Sequence, residues 1–376
     1  MQIGIPAEIR AGETRVAATP ETIKKLMANG KHQILIQSGA GQRASYVDAD
    51  YTAVGATVVA SAEQAVGSAD IVLKVRAPES PELAQYKRGA ILVGLLNPFD
   101  VPGVAAMAAA GLTGFAMEWL PRISRAQAMD VLSSQANIAG YKAVMIAANE
   151  YQRFMPMLMT AAGTVKAARV IVLGAGVAGL QAIATAKRLG AVIEASDVRP
   201  AVKEQVESLG AKFIDVPFLT DEEREIARGV GGYARPMPAD WMKRQADQVH
   251  ERAKLADIII TTALIPGRPG PVLIKEETVK AMKPGSVIVD MAVEQGGNCP
   301  LTERDQVVVK HGVKLVGVTN LPALVAADAS ALYARNLLNF LNLLVDAKSG
   351  ELRLDREDEI IAGSLICING EAVKRS

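Results

Sequence analysis

The sequence predicts an α/β protein that consists of two doubly wound parallel-sheet domains. The chain has 376 residues, more than one hydrophobic core usually organises, so we expect two domains. Short apolar runs alternate with helical patterns along most of the chain, which is typical of parallel sheets. A glycine-rich turn at residues 174–179 also joins a predicted strand to a predicted helix. Half of the residues are hydrophobic, which suffices for two cores.

The first 120 residues predict a complete set of alternating strands and helices. The predicted strands span residues 3–6, 33–36, 57–59, 71–75, 90–95 and 113–117. The predicted helices span residues 19–29, 61–67, 80–86 and 102–110. Pro20, directly after the capping residue Thr19, is a good start signal for the first helix.

Two long helical patterns predict how the chain passes between the domains. Residues 124–154 contain such a pattern without a proline, and residues 323–346 contain another. We expect the second helix to return the chain to the first domain. We therefore predict an N-terminal α/β domain of residues 1–134 and 322–376, and a second domain of residues 135–321, joined by long helices.

The turn at residues 174–179, with the sequence GAGVAG, indicates a dinucleotide site. It follows the apolar run 168–173 and precedes a helical pattern, and the next strand leads to Asp197. This context makes it the fingerprint of a Rossmann domain. Gly174 permits a tight turn, Gly176 permits close approach to a pyrophosphate, and Gly179 permits close helix–strand packing.

The acidic residue after the second strand favours NAD over NADP. The carboxylate of Asp197 can bind the adenosine ribose hydroxyls and would repel a 2′-phosphate. Arg199 weakens this exclusion slightly. Further strands are predicted at residues 212–214, 258–261, 286–289 and 313–318, and a helix at 239–255. The glycine-rich stretch 216–235 predicts a long loop, of a kind that is functional or disordered.

Composition argues against several other classes of protein. The net charge is +1 without a basic stripe, so we expect no nucleic-acid partner. The most apolar stretch, residues 101–117, is interrupted by proline and glycine, so we expect no membrane span of the chain's own. The three histidines are isolated, which predicts no metal site. Cys299 and Cys367 are far apart, which predicts unpaired thiols in a reducing, cytoplasmic compartment.

Two kinds of hydride transfer are open to a protein with this fingerprint. An amino- or hydroxy-acid dehydrogenase needs a proton partner for the substrate. Arg15 and Lys74 could hold a carboxylate or donate, but they could equally form a structural charge pair, and Asn97 follows the strand at 90–95. Transfer between two nicotinamides changes no protonation and needs only positioning. Since the chain has one fingerprint, a second nucleotide would come on another polypeptide.

Several segments together resemble one family over nearly the whole chain. These are residues 121–135 (PRISRAQAMDVLSSQ), 159–164 (MTAAGT), 174–179, 231–234 (GGYA), 261–267 (TTALIPG) and 296–300 (GGNCP). They resemble the soluble NAD(H)-binding component of the proton-translocating NAD(P) transhydrogenases. The resemblance implies NAD(H) on this chain, in the cleft between its domains, and NADP(H) on a partner subunit. It also implies a membrane-spanning proton-channel subunit, a homodimer, and a position peripheral to the inner membrane.

The same resemblance implies a role for each site residue. The residues that would hold the nicotinamide end are Arg122, Gln127, Asp130 and Ser133, with backbone contacts from Ile123, Ser124 and Arg125. Those at the pyrophosphate would be Val177, Ala178 and Gly179, and those at the adenosine ribose would be Asp197, Val198 and Arg199. Those closing around the nucleotide would be Gly232, Gln245 and Leu264, with Tyr233 on a mobile loop. If residues 127–133 are helical, their spacing keeps Gln127, Asp130 and Ser133 on one side.

The related alanine dehydrogenases are the alternative, because they share the fold. Arg15 and Lys74 match their substrate residues, but their histidine is absent near Asn97, and Glu294 stands in place of their catalytic aspartate. These departures favour the transhydrogenase. A non-catalytic NAD sensor is a third possibility, and it would bind NADH without transferring hydride.

Overall fold

A computed structural model describes residues 1–28, 30–228, 235, 237–265, 267–346 and 348–373. The chain divides into two compact units. The first comprises Met1–Gln135 and Pro322–Ser376, and the second comprises Ala136–Leu321. The strands are β1 (Gln2–Ile5), β2 (Gln33–Gln37), β3 (Thr57–Val59), β4 (Ile71–Arg76), β5 (Ile91–Leu95), β6 (Thr113–Ala116), β7 (Leu158–Thr160), β8 (Gly163–Val165), β9 (Arg169–Leu173), β10 (Val192–Ser196), β11 (Lys212–Phe213), β12 (Ile258–Thr261), β13 (Val287–Asp290), β14 (Val307–Lys310), β15 (Val313–Val316), β16 (Leu365–Ile368) and β17 (Glu371–Ala372).

The α-helices connect these strands and cover their faces. They are α1 (Pro20–Met27), α2 (Asp48–Ala53), α3 (Ala62–Val66), α4 (Ser80–Leu83), α5 (Val101–Ala109), α6 (Val131–Glu150), α7 (Val177–Arg188), α8 (Lys203–Ser208), α9 (Asp221–Ala227), α10 (Ala239–Ala253), α11 (Glu276–Ala281), α12 (Ala326–Leu344) and α13 (Glu359–Ser364). Helix α1 begins where the sequence predicts, because Thr19 caps the backbone N–H of Thr22 and Pro20 occupies the first turn.

The first unit contains an eight-stranded sheet in the order β17-β16-β6-β5-β4-β1-β2-β3. Strands β1 to β6 pair in parallel, whereas β16 pairs antiparallel to both β6 and β17. Alternate side chains of β4 enter different cores: Leu73 packs with Phe340, and Val72 packs with Leu92. Both faces of the sheet are therefore buried, which explains why its central strands are continuous apolar runs.

The second unit contains a seven-stranded sheet in the order β11-β10-β9-β12-β13-β15-β14. Val170 and Val172 of β9 pack into one core, and Ile171 and Leu173 pack into another. Fully burying one such side chain contributes about 1.5–3 kcal/mol. The predicted doubly wound α/β architecture with Rossmann-like domains is thus confirmed.

Two β-hairpins of the second unit were not predicted. Strand β14 runs antiparallel to β15 through a tight turn at His311 and Gly312, which both have a positive φ. Such a turn matches the twist of a hairpin, but its signature is weaker without asparagine or aspartate. Strands β7 and β8 form a separate two-stranded hairpin whose strand residues are all exposed.

The long helix predicted from residue 124 begins later than expected. Residues Ser124–Met129 form a 3-10 helix, and Asp130 leaves the helical conformation with a ψ of 89°. Helix α6 begins at Val131 and carries the chain into the second unit. The sequence pattern continues through the break because a 3-10 turn and an α-helix place apolar residues at similar intervals.

Candidate functional site

The predicted glycine turn links β9 to α7 and needs glycine for steric reasons. Gly174 has a φ of 97°, and a Cβ there would lie 2.6 Å from Oγ1 of Thr262. A Cβ at Gly179 would collide with the carbonyl oxygen of Gly174. The tight turn and the close helix packing expected of these two glycines are therefore both present.

Gly176 faces open space, unlike the other two glycines of the turn. Within the described ranges, a Cβ at Gly176 would meet only Nη2 of Arg199, at 3.9 Å. Helix α7 begins at the next residue, and its N-cap residue, Gly176, has no side chain that could cap it. The first-turn N–H groups of Val177, Ala178 and Gly179 have no acceptor within the helix, and the helix dipole favours an anion here. The turn is thus a cradle that fits a pyrophosphate.

The sheet topology places this cradle where doubly wound folds bind ligands. Strand β9 lies between β10 and β12, so the chain order reverses direction beside it. Ligands of open α/β sheets bind outside the carboxyl ends of the strands at such a switch point. Thr262, just after β12, donates from Oγ1 to the carbonyl oxygen of Gly174 at 2.9 Å and so joins the two strand ends.

Asp197, which the sequence assigns to the ribose, lies directly after β10 and is already hydrogen bonded. Its Oδ2 accepts the backbone N–H of Ala175 at 2.8 Å, so it fixes the glycine turn. Its two oxygens also receive the guanidinium of Arg199. Gln245 is buried on α10 and donates to the Ser196 hydroxyl at 3.2 Å, beside Asp197.

The other nucleotide-binding candidates of the second unit are apolar residues or lie outside the described residues. Leu264 follows β12 with 43% of its side chain exposed, as suits an apolar surface for a ligand. Val198 packs against a small core that contains Trp241 of α10. Gly232 and Tyr233 lie outside the described residues.

A buried polar framework behind this site was not assigned a role from sequence. Asp290, at the end of β13, accepts the backbone N–H groups of Asn298 and Cys299 at 2.8 and 2.9 Å. The Asn298 side chain bonds both the N–H and the carbonyl oxygen of Ala263, at 3.1 and 2.9 Å. This holds the segment before Leu264 in place. The signal in the sequence is a polar residue at the end of a buried apolar strand.

The candidate nicotinamide residues lie in the first unit, in and around the 3-10 helix and at the start of α6. The side chains of Arg122 and Gln127 are exposed, and those of Asp130 and Ser133 are half-buried. Asp130 accepts the backbone N–H of Ser133 at 2.9 Å and its hydroxyl at 2.6 Å. The pair therefore caps α6, so residues 127–133 do not form one continuous helix and the condition for placing these side chains on one side of a helix is not met.

Helix α12 and the C-terminal segment hold this 3-10 helix from behind. Asn336 and Asn339 of α12 each donate to the carbonyl oxygen of Ala128, at 2.9 and 3.0 Å. Arg125 forms a bidentate pair with Asp358, at 2.6 and 2.9 Å. The Arg125 side chain is thus used structurally, which is consistent with the expected backbone role for this residue.

Arg15 and Lys74, the candidate substrate residues of a dehydrogenase, are buried in ion pairs. Arg15 makes a fork to Glu13, at 2.7 and 2.6 Å, and donates to Gln135 at 2.8 Å. Lys74 contacts the Glu82 carboxylate at 2.6 Å. Burial alone would raise the pKa of Glu13, but hydrogen bonding and the charge of Arg15 lower it to about 2. Both cations are therefore compensated within the protein.

The two positions at which the sequence departs from the alanine dehydrogenases, Asn97 and Glu294, are both exposed. Asn97 is exposed with a φ of 50°, and its backbone N–H donates to Glu118 at 2.8 Å. Burial raises the pKa of Glu118 to about 7 despite this bond and a second one from Leu96. Glu294 is exposed and lies 4.0 Å from Arg304.

The described parts of the chain contain neither a metal-binding cluster nor a membrane-spanning helix. No three His, Cys, Asp or Glu side chains in those parts cluster so that they could hold a metal ion. No helix in the same ranges has both the length and the apolar character that crossing a membrane requires. Cys299 and Cys367 are both buried, and neither forms a disulfide.

Comparison with known proteins places the chain in a family. Residues 4–139 match the model of the alanine dehydrogenase/PNT N-terminal domain, and residues 143–375 match that of the C-terminal domain. An NAD(P) transhydrogenase subunit alpha chain of Rhodospirillum rubrum is 54% identical, over 99% of this chain and 98% of the relative. The crystal structure of transhydrogenase from Sinorhizobium meliloti has a TM-score of 0.89 and 46% identity, with 99% and 100% coverage. Alanine dehydrogenase of Bacillus subtilis is 32% identical, with 100% and 94% coverage.

The fold and the glycine turn define a dinucleotide-binding α/β enzyme, and the chain belongs to the alanine dehydrogenase/PNT family. Within that family its similarity is greater to the transhydrogenases than to the alanine dehydrogenase. It is a component of an NAD(P) transhydrogenase, as the sequence predicted.

Proposed function

We propose that this chain binds NAD(H) and exchanges hydride directly with NADP(H) held by a partner subunit. The observation that carries the proposal is the 54% identity over nearly the full length of a transhydrogenase alpha chain. The geometry of the second unit supports it, because the open cradle at Gly176 suits a pyrophosphate and the Asp197 carboxylate suits a ribose.

In this proposal the nicotinamide is held by Arg122, Gln127, Asp130 and Ser133. Their guanidinium, amide, carboxylate and hydroxyl groups offer both donors and acceptors to a carboxamide, which itself has both. Bound NAD(H) supplies the hydride, and the chain supplies orientation. Since hydride passes from carbon to carbon, no side chain has to give or take a proton.

The pyrophosphate would lie on the first turn of α7, where Val177, Ala178 and Gly179 present their N–H groups. Gln245, Leu264 and Gly232 would close around the nucleotide, and Tyr233 would fold over it. These roles come from the resemblance of the motifs, and the burial of Gln245 and the exposure of Leu264 are compatible with them.

We further propose that a membrane-spanning subunit couples hydride transfer to proton movement, and that this chain is attached to that subunit peripherally.

We also propose that the chain forms a homodimer. The β7–β8 hairpin supports association with a second copy. Met157 directly before β7 and Met159 on β7 are 62% and 72% exposed, and a contiguous patch of exposed apolar side chains marks an interaction site. Sedimentation equilibrium should give twice the chain mass, and charged substitutions at both methionines should lower it. A chain mass for the unaltered protein would contradict the dimer.

The proposal is tested by mixing the full chain with the NADP(H)-binding component of a transhydrogenase. NADH and the chromophoric acceptor thio-NADP⁺ are added, and the absorbance of reduced thio-NADP is followed. We expect reduction only when both proteins are present. The absence of reduction, together with NAD⁺ reduction that depends on alanine, would support the dehydrogenase alternative instead.

A further inference from the structure

The carboxylate of Asp197 has two donors on each oxygen. Oδ1 accepts the backbone N–H of Arg199 and its Nε, both at 2.9 Å. Oδ2 accepts Nη2 of Arg199 at 2.8 Å and the backbone N–H of Ala175 at 2.8 Å. A carboxylate offers about four lone-pair positions. All four are therefore used by the protein itself.

A ribose would compete for the part of this carboxylate that the guanidinium holds. The fork of Arg199 presents two N–H groups to the two oxygens, and a vicinal diol presents two O–H groups to the same two oxygens. The Ala175 bond is needed to hold the glycine turn, so the diol can enter only where the guanidinium leaves. The Asp197 side chain is 5% exposed and that of Arg199 is 19% exposed, so solvent screens their interaction only in part.

The guanidinium also borders the pyrophosphate cradle. Among the described residues, Nη2 of Arg199 is the only atom within 4 Å of the position that a Cβ on Gly176 would take, at 3.9 Å. A guanidinium released from Asp197 therefore stays close to the adenosine end of the site. A 2′-phosphate there would offer it a charge-assisted, bidentate partner, whereas the 2′-hydroxyl of NAD(H) would not.

From this geometry we propose that Arg199 occupies the ribose position on Asp197 until a nucleotide displaces it, and that the displaced guanidinium then favours a 2′-phosphate and so weakens the selectivity for NAD(H). The inference rests on the proposed NAD(H) site. Arg199 would then compete with NAD(H) for the Asp197 carboxylate, instead of acting only as a ribose ligand. Hydrogen bonding to Asp197 raises the pKa of Arg199, so the competitor is always charged.

The test uses the full chain and two probes that contain only the adenosine end: ADP-ribose and 2′-phospho-ADP-ribose. Their dissociation constants are measured by calorimetry for the unaltered protein and for Arg199→Ala. We expect Arg199→Ala to bind ADP-ribose about threefold to tenfold tighter, because no side chain has to leave. It should bind the 2′-phospho probe about tenfold weaker, because the phosphate loses its partner.

The matched control is Arg252→Ala, because Nη1 of Arg252 on α10 donates at 2.5 Å to Glu194 of β10, the strand that leads to Asp197. It removes an equal charge from a β10 carboxylate and should leave both constants within about twofold. Arg199→Lys keeps the charge without the fork, so its affinity for ADP-ribose should fall between those of the unaltered protein and Arg199→Ala. It also provides a second variant if the alanine variant unfolds.

A direct measurement complements the affinities. The Nε–Hε signal of Arg199 in ¹⁵N-labelled protein should move on addition of ADP-ribose, while that of Arg252 should not. Weaker or unchanged binding of ADP-ribose by Arg199→Ala would overturn the inference but leave the NAD(H) site standing. Failure of the unaltered protein to bind either NADH or ADP-ribose would overturn both.

Discussion

Asp130 caps helix α6 by accepting both the backbone N–H and the hydroxyl of Ser133, at 2.9 and 2.6 Å. Two of the four residues that we assign to the nicotinamide therefore also hold a helix start. A cap of this kind positions the carboxylate and the hydroxyl relative to each other before any ligand binds. The structural role and the proposed binding role can be separated by choosing the right substitution.

We predict that Asp130→Ala lowers the free energy of unfolding by about 0.5–2 kcal/mol, because the helix loses its cap. Asp130→Asn should cost little stability, since asparagine caps nearly as well as aspartate. Both should slow hydride transfer, because both remove the carboxylate. Urea unfolding and the thio-NADP⁺ assay distinguish the effects, and full activity of Asp130→Asn would rule out the binding role.

Gln127→Asn should test positioning apart from affinity. The side chain is exposed on the 3-10 helix, and shortening it by one methylene withdraws the amide without changing its chemistry. We expect NADH affinity to stay within a few-fold and transfer to slow about a hundredfold, because a displacement of about 1 Å can cost that much. Gln205→Asn, at an exposed site on α8, is the control. Equal losses in affinity and rate would contradict the assigned role.

Arg15→Met should lower the stability of the protein. We expect no alanine dehydrogenase activity from the unaltered protein or from this variant. It leaves Glu13 buried without its bidentate partner, and such losses cost about 3–5 kcal/mol. The double substitution Arg15→Met and Glu13→Gln should recover part of that loss, because the fully buried charges are both removed. The other partner of Glu13, Arg76 at 3.2 Å, is partly exposed to solvent. Denaturant unfolding of the three proteins measures this. Alanine turnover by the unaltered protein that Arg15→Met abolishes would show instead that Arg15 binds substrate.

Glu118 should make stability depend on pH near neutrality. Burial raises its pKa from 4.5 to about 7, so the folded protein binds this proton more tightly than the unfolded chain does. Its contribution to stability is therefore complete below pH 4.5 and is lost as the pH rises through 7.

The pH effect is measured as the free energy of unfolding of the unaltered protein minus that of Glu118→Gln, across this range. We expect the difference to fall as pH rises. A difference for Glu118→Gln that is independent of pH would contradict the raised pKa.

Glu13 affects stability in a different pH range. Its lowered pKa stabilises the folded state above pH 4.5, and this stabilisation is lost as the pH falls toward 2.

Much of the fold follows from sequence patterns, but features made by single side chains do not. The strand at 71–75 was predicted correctly because a buried parallel strand is a continuous apolar run. The start of α6 was misplaced because Asp130 interrupts the helix without a proline or glycine to mark the break. The exposed hairpin of β7 and β8 was missed because its strands are three residues long and lack a buried face.

The candidate site shows the same division. The spacing GAGVAG between a strand and a helix predicts the turn, because each glycine answers a steric need that the structure displays. The bonds from Arg199 to Asp197 could not be predicted, since they depend on one side-chain conformation between residues two positions apart. The polar residue at the end of a buried apolar run marks Asp290, but no sequence pattern shows that Asn298 holds the segment before Leu264.

Direct passage of hydride between two nucleotides on different chains is the step on which the proposed function depends. It is tested most directly with NADH that carries deuterium at the transferred C4 position, NADP⁺, this protein and its NADP(H)-binding partner component. Mass spectrometry of the products then locates the label. We expect the label to appear in NADPH and none of it to be lost to water. Label released to water, or NADPH that forms without it, would contradict direct transfer.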